Sequence, residues 1–510
     1  MEAAEAEPLP DGGALPKHFS ERRRPSGLSH NSVQGYLLRM TGLEPRRALP
    51  LVGFLVFFAV LNETVFVVST PAISSQFKLS PAGVSWMMTS FIVLFGICTM
   101  IFSRLADLYP VRRLLTIGVL TYASASLLGF LGRPSYPVVL LARALQGIGG
   151  AALPSLVTVI IVRWSDPGIR GRLFGTVTSV ISCAAAFGPV LGGFVSREGG
   201  WPFLFLIPLL TLVALPRIPH VVPAEDKRPG RIDLLGALLM ALGVGTLIVW
   251  LTVSGWPWLV AGSILLAAFI LRVATADRPF IDLKLFRNAA YRAGVVTVLA
   301  VNACFFGLWF LQPLWFHSEI GIDTSIIGLV LFPSALSGVF FGPFAGRLAD
   351  ARGNRFVLRI GLCLMVSGLV LLPLAVWLLP GRAGTFAPFL LALVNVVPNL
   401  GYTFFNTGLI NGVSRTLSAV ETGAGMGLFN LAGFVASAVG TSLVGRALDS
   451  RLLDHGHIVM VLAGLVGATS VGYLLALGRR VSRTSPAGFG SEPEGGSQDA
   501  KGMTAGGIKE

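Results

Sequence analysis

The sequence has few charged residues for its length. Only 13% of its 510 residues are Asp, Glu, Lys or Arg, whereas soluble proteins usually contain about 25%. Hydrophobic residues make up 53% of the chain. They recur in runs of about 20 residues, the length at which a helix spans the hydrocarbon core of a bilayer. This composition excludes a soluble globular protein and predicts an all-α membrane protein.

Patterns that hold metals, disulfides or nucleotides are also missing. The cysteines fall within hydrophobic runs, which indicates small buried residues, and the six histidines lack ligand spacing. No G-x-x-x-x-G-K-[ST] loop is present to bind phosphates. We therefore expect no cofactor, no metal, no enzymatic activity and no direct use of ATP. The cysteines are Cys98, Cys183, Cys304 and Cys363.

Fourteen hydrophobic runs are long enough to cross a bilayer as helices. The sixth and the eighth are short. We predict helices at residues 50–70, 82–102, 114–132, 136–162, 171–195, 201–217, 233–253, 256–272, 293–316, 324–345, 356–379, 385–409, 421–444 and 457–478.

Arginine is concentrated in every second loop. One set of loops is basic, as in 104–113, 163–172 and 347–355, whereas the other set has isolated residues such as Lys78 and Arg133. Short cytoplasmic loops carry the excess of positive charge in membrane proteins. The pattern therefore predicts that the basic loops and both termini lie in the cytoplasm. It also explains the net charge of +14 without a nucleic-acid partner.

The sequence contains an internal repeat. Residues 103–113, Ser-Arg-Leu-Ala-Asp-Leu-Tyr-Pro-Val-Arg-Arg, match 346–356, Gly-Arg-Leu-Ala-Asp-Ala-Arg-Gly-Asn-Arg-Phe, and both follow the second helix of a half. Paired repeats build alternating-access transporters. The two copies are 243 residues apart. Six helices with their loops need fewer residues than that, so the spacing predicts two inserted helices between the halves. We divide the chain into a cytoplasmic tail (1–48), an N-terminal six-helix half (49–217), two inserted helices with loops (218–292), a C-terminal six-helix half (293–479) and a disordered cytoplasmic tail (480–510).

The repeated loop resembles a motif of a known transporter family. Residues 103–113 are similar to the G-x-L-a-D-r-x-G-r-r loop of the major facilitator superfamily, with Ser103 and Pro110 in place of its glycines. In the fourth helix, Arg143-Ala-Leu-Gln146-Gly147 resembles the R-x-x-Q-G motif of its drug:proton antiporters. The fifth helix resembles their g-x-x-x-G-P-x-x-G-G motif through Ala184, Gly188, Pro189, Gly192 and Gly193.

Two further segments resemble the 14-helix branch of these antiporters. Asp233-Leu-Leu-Gly236 opens the seventh helix, and Leu61-Asn62-Glu63-Thr64 looks closest to the tetracycline/proton antiporters of Gram-positive bacteria. The resemblance implies a major facilitator fold of two six-helix halves plus two inserted helices. It also implies exchange of a drug, with tetracycline-like compounds among the candidates, for protons. The tetracycline antiporters carry acidic residues where this chain has Ala185 and Ser437.

Glu63 lies in the middle of the first predicted helix. An ionised carboxylate there costs about 3 kcal/mol on insertion scales, so proton uptake and release near neutral pH become feasible. We interpret Glu63 as a proton-coupling residue that faces a central cavity. The alternative is a structural carboxylate bonded to Asn62 or to a neighbouring helix.

Arg143 is a second charge within a predicted helix. It is suited to pair with Glu63 or with an anionic part of the substrate. The alternative is that its side chain reaches water at a helix end. Gln146, three residues further on, is equally suited to line a cavity or to bond between helices.

The repeated loops are candidates for a gate on the cytoplasmic side. Asp107 can lie at a helix N-terminus of the opposite half, where Arg112 can hold it. Such a contact would latch the halves in one state and break in the other, whereas the alternative is an ordinary basic loop. The other residues of the two copies are Arg104, Arg113, Arg347 and Asp350.

Small residues in the fifth helix form a ridge. Ala184, Gly188 and Gly192 are spaced four residues apart, so another helix can approach closely, and Pro189 bends the helix. The ridge would serve close contact between the halves during transport or plain helix packing.

Amide side chains near aromatic residues are candidates for cavity lining around an aromatic, amphiphilic compound. The alternative is hydrogen bonding between helices. The residues are Asn302, Gln312, Asn395, Asn399, Asn406 and Asn430.

We therefore expect a proton-coupled antiporter that exports a drug or another amphiphilic organic compound by alternating access. We expect it in the bacterial plasma membrane as a monomer, with the lipid bilayer, protons and a small organic substrate as partners. One alternative is an exporter of the host's own secondary metabolite. Another is a non-transporting membrane receptor or scaffold, which predicts large soluble domains that this sequence does not contain.

Overall fold

The computed structural model describes residues 45–164, 167–227, 233–253, 255–276, 283–378, 386–417, 422–450 and 454–484. Fourteen helices in these ranges are long and apolar enough to span a membrane. The all-α membrane fold and the predicted number of spans are therefore confirmed. The predicted tails, 1–48 and 480–510, lie almost entirely outside the described residues.

The helices follow the predicted runs and mostly extend beyond them. They are α1 (Pro45–Val65, continued by the short helical pieces Val67–Ser69 and Thr70–Phe77), α2 (Pro81–Leu105), α3 (Val111–Leu131), α4 (Tyr136–Trp164), α5 (Pro167–Glu198), α6 (Trp201–Arg217 and Ile218–Val221), α7 (Leu234–Val253), α8 (Trp256–Thr275), α9 (Ala289–Ile320), α10 (Thr324–Arg352), α11 (Asn354–Trp377), α12 (Phe386–Ser414), α13 (Thr422–Ser450) and α14 (His455–Thr484).

The first helix is longer than predicted and is interrupted. Pro71 has no N–H to donate to the carbonyl of Val67, and its ring would clash with that carbonyl in a regular α-helix. The chain therefore passes through a short 3-10 turn before helical geometry resumes at Thr70. Lys78, in the left-handed conformation with φ 52°, ends the helix after Phe77.

Polar side chains cap the N-termini of some of the membrane-spanning helices. Ser80 accepts a hydrogen bond from the backbone N–H of Gly83 at 3.1 Å and begins α2. Asp323 begins α10 and accepts from the backbone N–H of Ser325 at 2.9 Å and from its hydroxyl at 2.7 Å. These two donors hold the pKa of the Asp323 carboxyl below its ordinary value.

The helices pack in two groups that meet along two seams. In the first group α4 packs on α2 and α3, and α5 packs on α1; in the second, α12 packs on α10 and α11, and α9 packs on α13. The groups meet where α2 lies against α13 and where α5 lies against α10. Helices α7 and α8 pack on each other, and α7 also contacts α13 and α2. The division of the chain at residues 218 and 292 remains a prediction.

The helix ends define two sides of the bundle. We call the side that carries residues 103–113 and Arg163 the motif side, and the side that carries Ser80 and Asp323 the far side. The basic loops predict that the motif side lies in the cytoplasm.

Large hydrophobic side chains cover much of the outer surface, as expected for contact with lipid. On α8, Trp256 and Leu271 are 75% and 66% exposed. Cys98 and Cys304 are buried, as predicted, but Cys363 is exposed on α11 and corrects the expectation that every cysteine is buried. Hydropathy locates a helix in the sequence but does not say which of its faces points to lipid.

Candidate transport site

Glu63 lines a small cavity of about 20 Å³ between the two groups of helices. Its side chain is partly buried, and no hydrogen bond or ion pair to its carboxylate occurs among the described residues. The cavity is bounded by side chains of α1, α2, α9 and α13, three of which are aromatic residues of α9. The other lining residues are Thr64, Val67, Met88, Ile92, Phe306, Trp309, Phe310 and Thr441. The structure therefore places this carboxylate in a chamber between the halves.

Arg143 lies on α4 and is completely buried. Its Nε donates to the carbonyl of Met87 at 3.1 Å, and its Nη1 donates to Oε1 of Gln146 at 3.0 Å. The guanidinium lies between two rings, with its carbon 4.3 Å from the centroid of Phe66 and 4.4 Å from that of Phe91. The alternative in which Arg143 reaches water at a helix end is therefore wrong.

The suggested ion pair between Arg143 and Glu63 does not form among the described residues. The guanidinium uses neutral acceptors and aromatic faces instead, which are favourable partners for a desolvated arginine. Its Nη2 has no hydrogen-bond partner among the residues that the structure describes. Arg143 nevertheless lies within electrostatic range of Glu63, so a buried positive charge stands behind the carboxylate.

Gln146 and Asn62 join three helices of the first group. Nδ2 of Asn62 donates to Oε1 of Gln146 at 3.4 Å, and Nε2 of Gln146 donates to the hydroxyl of Ser126 on α3 at 2.8 Å. Tyr122, also on α3, donates to the carbonyl of Phe58 on α1 at 3.0 Å. Of the two interpretations of Gln146, the structure supports bonding between helices. Because Asn62 precedes Glu63, this network positions the turn that carries the carboxylate.

The small-residue ridge of α5 packs against α1. A Cβ at Gly188 would overlap Thr64, and one at Gly192 would overlap the carbonyl of Val65. The ridge therefore holds α1 within its own group, so of the two interpretations of the ridge the structure supports helix packing. The spacing of four residues indicates a close approach but not which helix approaches.

Two neighbouring residues of α5 make the contact between the halves instead. A Cβ at Gly193 would lie 2.9 Å from the carbonyl oxygen of Thr324 on α10, and Gly328 of α10 packs against the carbonyl of Pro189. These residues are part of the antiporter-like motif but face the other side of α5.

The loop motif is held by residues that the sequence did not single out. Asp107 pairs with Arg163 of α4 at 3.0 Å, and Arg163 also pairs with Glu225 at 3.2 Å. Arg112 does not hold Asp107, which corrects our expectation. Its Nη2 donates to the carbonyl of Val222 at 2.7 Å, because the last carbonyls of a helix have no partner within the helix.

The second copy of the motif is also held within its own group. Asp350 lies 3.9 Å from Arg415, and both side chains are exposed. Arg113 and Arg347 are exposed as well. Within the described part of the chain, neither copy contacts a helix N-terminus of the opposite group, so the proposed latch is open in this structure.

A cavity of about 710 Å³ opens between the halves on the motif side. Arg104 and Asp107 line its mouth, and Asn430 of α13 lines its wall. At its inner end Phe434 packs on Gly96, one turn of α2 from Ile92, which lines the chamber of Glu63. The open cavity and this chamber are therefore lined by successive turns of α2.

The other predicted cavity amides have mixed positions. Nε2 of Gln312 donates to Asn395 at 2.6 Å, and Asn395 donates to Ser334 at 3.2 Å, so this group bonds between helices. Asn302 accepts from the hydroxyl of Tyr402 at 3.1 Å. Of the remaining two, Asn399 is buried and Asn406 is partly buried.

The sequence of the chain matches the family model described as Major Facilitator Superfamily over residues 52–441. The chain belongs to the major facilitator superfamily. Membership makes it a membrane transporter rather than an enzyme, and it agrees with the paired groups of helices described above.

Curated relatives of this family are similar over much of the chain. Multidrug resistance protein Stp of Mycobacterium tuberculosis (strain CDC 1551 / Oshkosh) is 28% identical over 333 residues, 63% of this chain and 62% of that protein. The chain thus matches less than two thirds of the length of Stp. The uncharacterized MFS-type transporter YwoD of Bacillus subtilis (strain 168) is 28% identical over 79% of this chain and 91% of its own length.

Solved structures share the fold at low sequence identity. A peptide transporter POT in complex with sulfate has a TM-score of 0.64 at 16% identity and covers 86% of this chain and 95% of its own. A bacterial homolog to the human lysosomal transporter Spinster, in an inward-facing and unoccupied conformation, has a TM-score of 0.55 at 14% identity over 86% of this chain and 96% of its own.

Proposed function

We propose that this chain is a proton-coupled antiporter that exports a drug or another amphiphilic organic compound from the cytoplasm by alternating access. The observation that carries the proposal is the position of Glu63. It is the mid-span carboxylate of the described helices, and it lines a chamber between the halves without a bonded partner. Such a carboxylate inside a membrane protein is expensive and typical of proton pathways.

The shape of the bundle supports alternation between two states. The halves are apart on the motif side around the 710 Å³ cavity. On the far side they are in contact where Asp449 meets Ser80 and where Gly193 meets Thr324. A second cavity, of about 590 Å³, lies between α1, α9 and α14 on the far side, and it shares no lining residue with the chamber of Glu63. Closing the motif side and opening the far side would expose the chamber of Glu63 to the opposite solution. One proton that moves with the membrane potential supplies about 2.3 kcal/mol per 100 mV, which is enough to concentrate a substrate by tens of fold.

Arg143 supplies a fixed positive charge in this scheme. Its guanidinium is held by Met87, Gln146 and two rings, so it stays in place when Glu63 gains or loses a proton. Loss of the proton leaves a neutral pair of charges, whereas protonation leaves a net positive charge beside the chamber. The proton therefore changes the electrostatic environment of the substrate without moving the arginine.

The wall opposite Glu63 supports an aromatic, amphiphilic substrate. Phe306, Trp309 and Phe310 line the chamber, and behind them Phe305 stacks on Tyr402 with ring centroids 3.7 Å apart. Aromatic walls with few polar groups are typical of sites for drug-sized compounds. The name of Stp, a multidrug resistance protein, supports the same substrate class, and tetracycline-like compounds remain candidates.

We further propose that the chain lies in the bacterial plasma membrane with the motif side and both termini in the cytoplasm. The basic loops support this orientation, and the similar proteins named above are bacterial. We propose that it acts as a monomer, because one chain contains both halves around the chamber.

A panel of drug susceptibilities in an efflux-deficient bacterial host tests the function. The variants are wild type, Glu63→Gln and, as matched control, Glu198→Gln, an exposed carboxylate at the far-side end of α5. We expect wild type and Glu198→Gln to raise the inhibitory concentration of tetracycline or ethidium, and Glu63→Gln to lose the increase at equal membrane abundance.

Two results would contradict the proposal. Equal resistance from Glu63→Gln and wild type removes Glu63 from the mechanism. The second result is a deletion strain that accumulates one cellular product but keeps normal drug susceptibility. It would show that the substrate is a secondary metabolite of the host and not a drug.

A further inference from the structure

Asp449, in the second half of the bundle, is hydrogen-bonded to the first half on the far side. Its Oδ2 accepts a hydrogen bond from the hydroxyl of Ser80 at 2.8 Å, and its Oδ1 accepts from the backbone N–H of Ala82 at 3.3 Å. Asp449 ends α13, whereas Ser80 and Ala82 begin α2. A carboxylate from one half therefore lies at the positive end of a helix from the other half, where anions are stabilised.

The seam below Asp449 is tightly packed. One turn deeper, a Cβ at Gly445 would lie 3.0 Å from the carbonyl oxygen of Pro81. Further toward the centre, the hydroxyls of Thr89 and Ser442 are 3.2 Å apart. The contact of Asp449 is thus the outermost of a series of contacts between α2 and α13, which continues inward to Phe434 at the inner end of the motif-side cavity.

In the described part of the second seam on the far side, no carboxylate makes an equivalent bond. Where α5 meets α10, Nη1 of Arg197 lies 3.4 Å from the hydroxyl of Ser325, and both groups are exposed. Close backbone packing at Gly193 and Gly328 and the ring contact of Phe187 with Phe332 are further parts of that contact. Among the described residues, Asp449 thus accepts two hydrogen bonds across the first seam, one of them at 2.8 Å, whereas the guanidinium of Arg197 gives one bond of 3.4 Å across the second. Bonds that involve an ionised group are stronger when they are short.

We propose that Asp449 is the far-side latch of this transporter, a positioning residue that holds the chamber closed to the far side while the motif side is open. It must release Ser80 and the N-terminus of α2 whenever the far side opens. The loop with Asp107, which is open in this structure, and Asp449, which is closed, are then opposing latches on the two sides. This inference rests on alternating access in the proposed function, but not on proton coupling or on the substrate.

Another carboxylate on the same side provides a matched control. Asp454 caps α14 through the backbone N–H of His457 at 2.8 Å. It acts within its own half, and no hydrogen bond from it to the first six helices occurs among the described residues. Removing Asp454 costs a helix cap, as removing Asp449 does, but leaves the contact between the halves intact.

Distances between spin labels on the far side test the proposal. The labels are placed at Ser135→Cys, between α3 and α4, and at Leu378→Cys, at the end of α11, both exposed. The four native cysteines are replaced, and the labelled parent must keep its helical content and run as a single species. The distance distribution is then measured in nanodiscs without substrate and without a proton gradient.

We expect Asp449→Ala to move population toward longer far-side distances. Asp449→Ala removes two bonds to a carboxylate, and the loss of even one bond to a charged group changes the ratio of closed to open molecules by about tenfold. Asp449→Asn, which keeps the shape and one acceptor, should fall between wild type and Asp449→Ala. Ser80→Ala should act in the same direction from the other half, and Asp454→Ala should leave the distribution unchanged.

Two outcomes would overturn the latch. One is an Asp449→Ala distribution that matches the parent, and the other is an equal shift in Asp454→Ala. Because the measurement uses neither drug nor protons, a failed latch is distinguishable from a failed antiport mechanism. Suppose that Glu63→Gln gives the same resistance as wild type while the Asp449 variants lengthen the far-side distances. The role of Asp449 as a latch is then supported, and proton coupling through Glu63 is contradicted.

Discussion

The close packing of α5 on α1 yields a prediction about Gly192. A Cβ at this position would overlap the carbonyl oxygen of Val65 and lie 2.8 Å from Cγ2 of Val68. The first of these atoms belongs to the backbone, so it cannot move aside by a change of rotamer. Over-packing of this kind typically costs about 1–3 kcal/mol, and we expect Gly192→Ala to fall at the upper end of that range.

Gly175 of the same helix is the control. A Cβ there would meet nothing within 4 Å. Both substitutions gain the same helix propensity, about 1 kcal/mol for alanine over glycine, so the difference between the two variants isolates the packing cost. We therefore expect Gly192→Ala to be about 3 kcal/mol less stable than Gly175→Ala.

The assay is equilibrium unfolding in mixed micelles with increasing dodecyl sulfate, followed by circular dichroism. The turn that carries Glu63 and Thr64 would be displaced in Gly192→Ala, so transport should fall together with stability. Equal free energies of unfolding for the two variants would refute the conclusion that this ridge sets the position of α1.

Two further predictions concern single side chains. Arg143→Lys should lower the free energy of unfolding by about 2 kcal/mol, because an ammonium cannot keep both guanidinium bonds. The control is Arg133→Lys, which changes an exposed arginine 5.0 Å from the ring of Phe130 and should have little effect. Equal losses of stability in the two variants would contradict the account of the buried network. Asp323→Ala should lower thermal stability at pH 7 by about 1 kcal/mol through loss of a helix cap. The hydrogen bonds from Ser325 lower the pKa of Asp323 in the folded state. The carboxylate therefore stabilises the folded protein fully at pH values above its ordinary pKa of about 4, and this stabilisation is lost as the pH falls through the pKa of the folded state. The difference between wild type and variant should therefore shrink in acid, and a difference that stays unchanged once the carboxyl of Asp323 is fully protonated would show that its charge does not contribute.

The helices were predictable because the bilayer imposes their length. Each span needs enough apolar residues to cross the hydrocarbon, so all fourteen could be recognised from hydropathy. The break in α1 at Pro71 was not predicted, although a proline within an apolar run is its signal. The chamber residue Glu63 was found for a similar reason, since a carboxylate in the middle of a span is rare and conspicuous.

The partners of the site residues could not be predicted in the same way. Arg163 and Glu225 hold the loop motif, but both are distant from Asp107 in sequence. Arg163 was noticed only as part of the loop charge, and Glu225 was not singled out. Gln312 and Asn395 bond to each other, which composition cannot distinguish from cavity lining. Which helices meet is a property of the tertiary packing.

The latch residue was missed for the same reason. Ser80 and Pro81 form a helix start that the sequence shows, since a serine followed by proline is a common N-terminal signal. Asp449 at the end of α13 looks like an ordinary loop acid. Only the contact between α2 and α13 brings the two together.

The central claim is that Glu63 exchanges protons for substrate, and uptake into inverted membrane vesicles tests it most directly. Ethidium and tetracycline are the probes, with a proton gradient imposed or collapsed, and wild type is compared with Glu63→Gln and Glu198→Gln. The account predicts gradient-driven uptake of at least one probe by wild type and Glu198→Gln, none by Glu63→Gln, and none by any variant once the gradient is collapsed. Equal gradient-driven uptake by Glu63→Gln, or wild-type uptake that ignores the collapsed gradient, would contradict it.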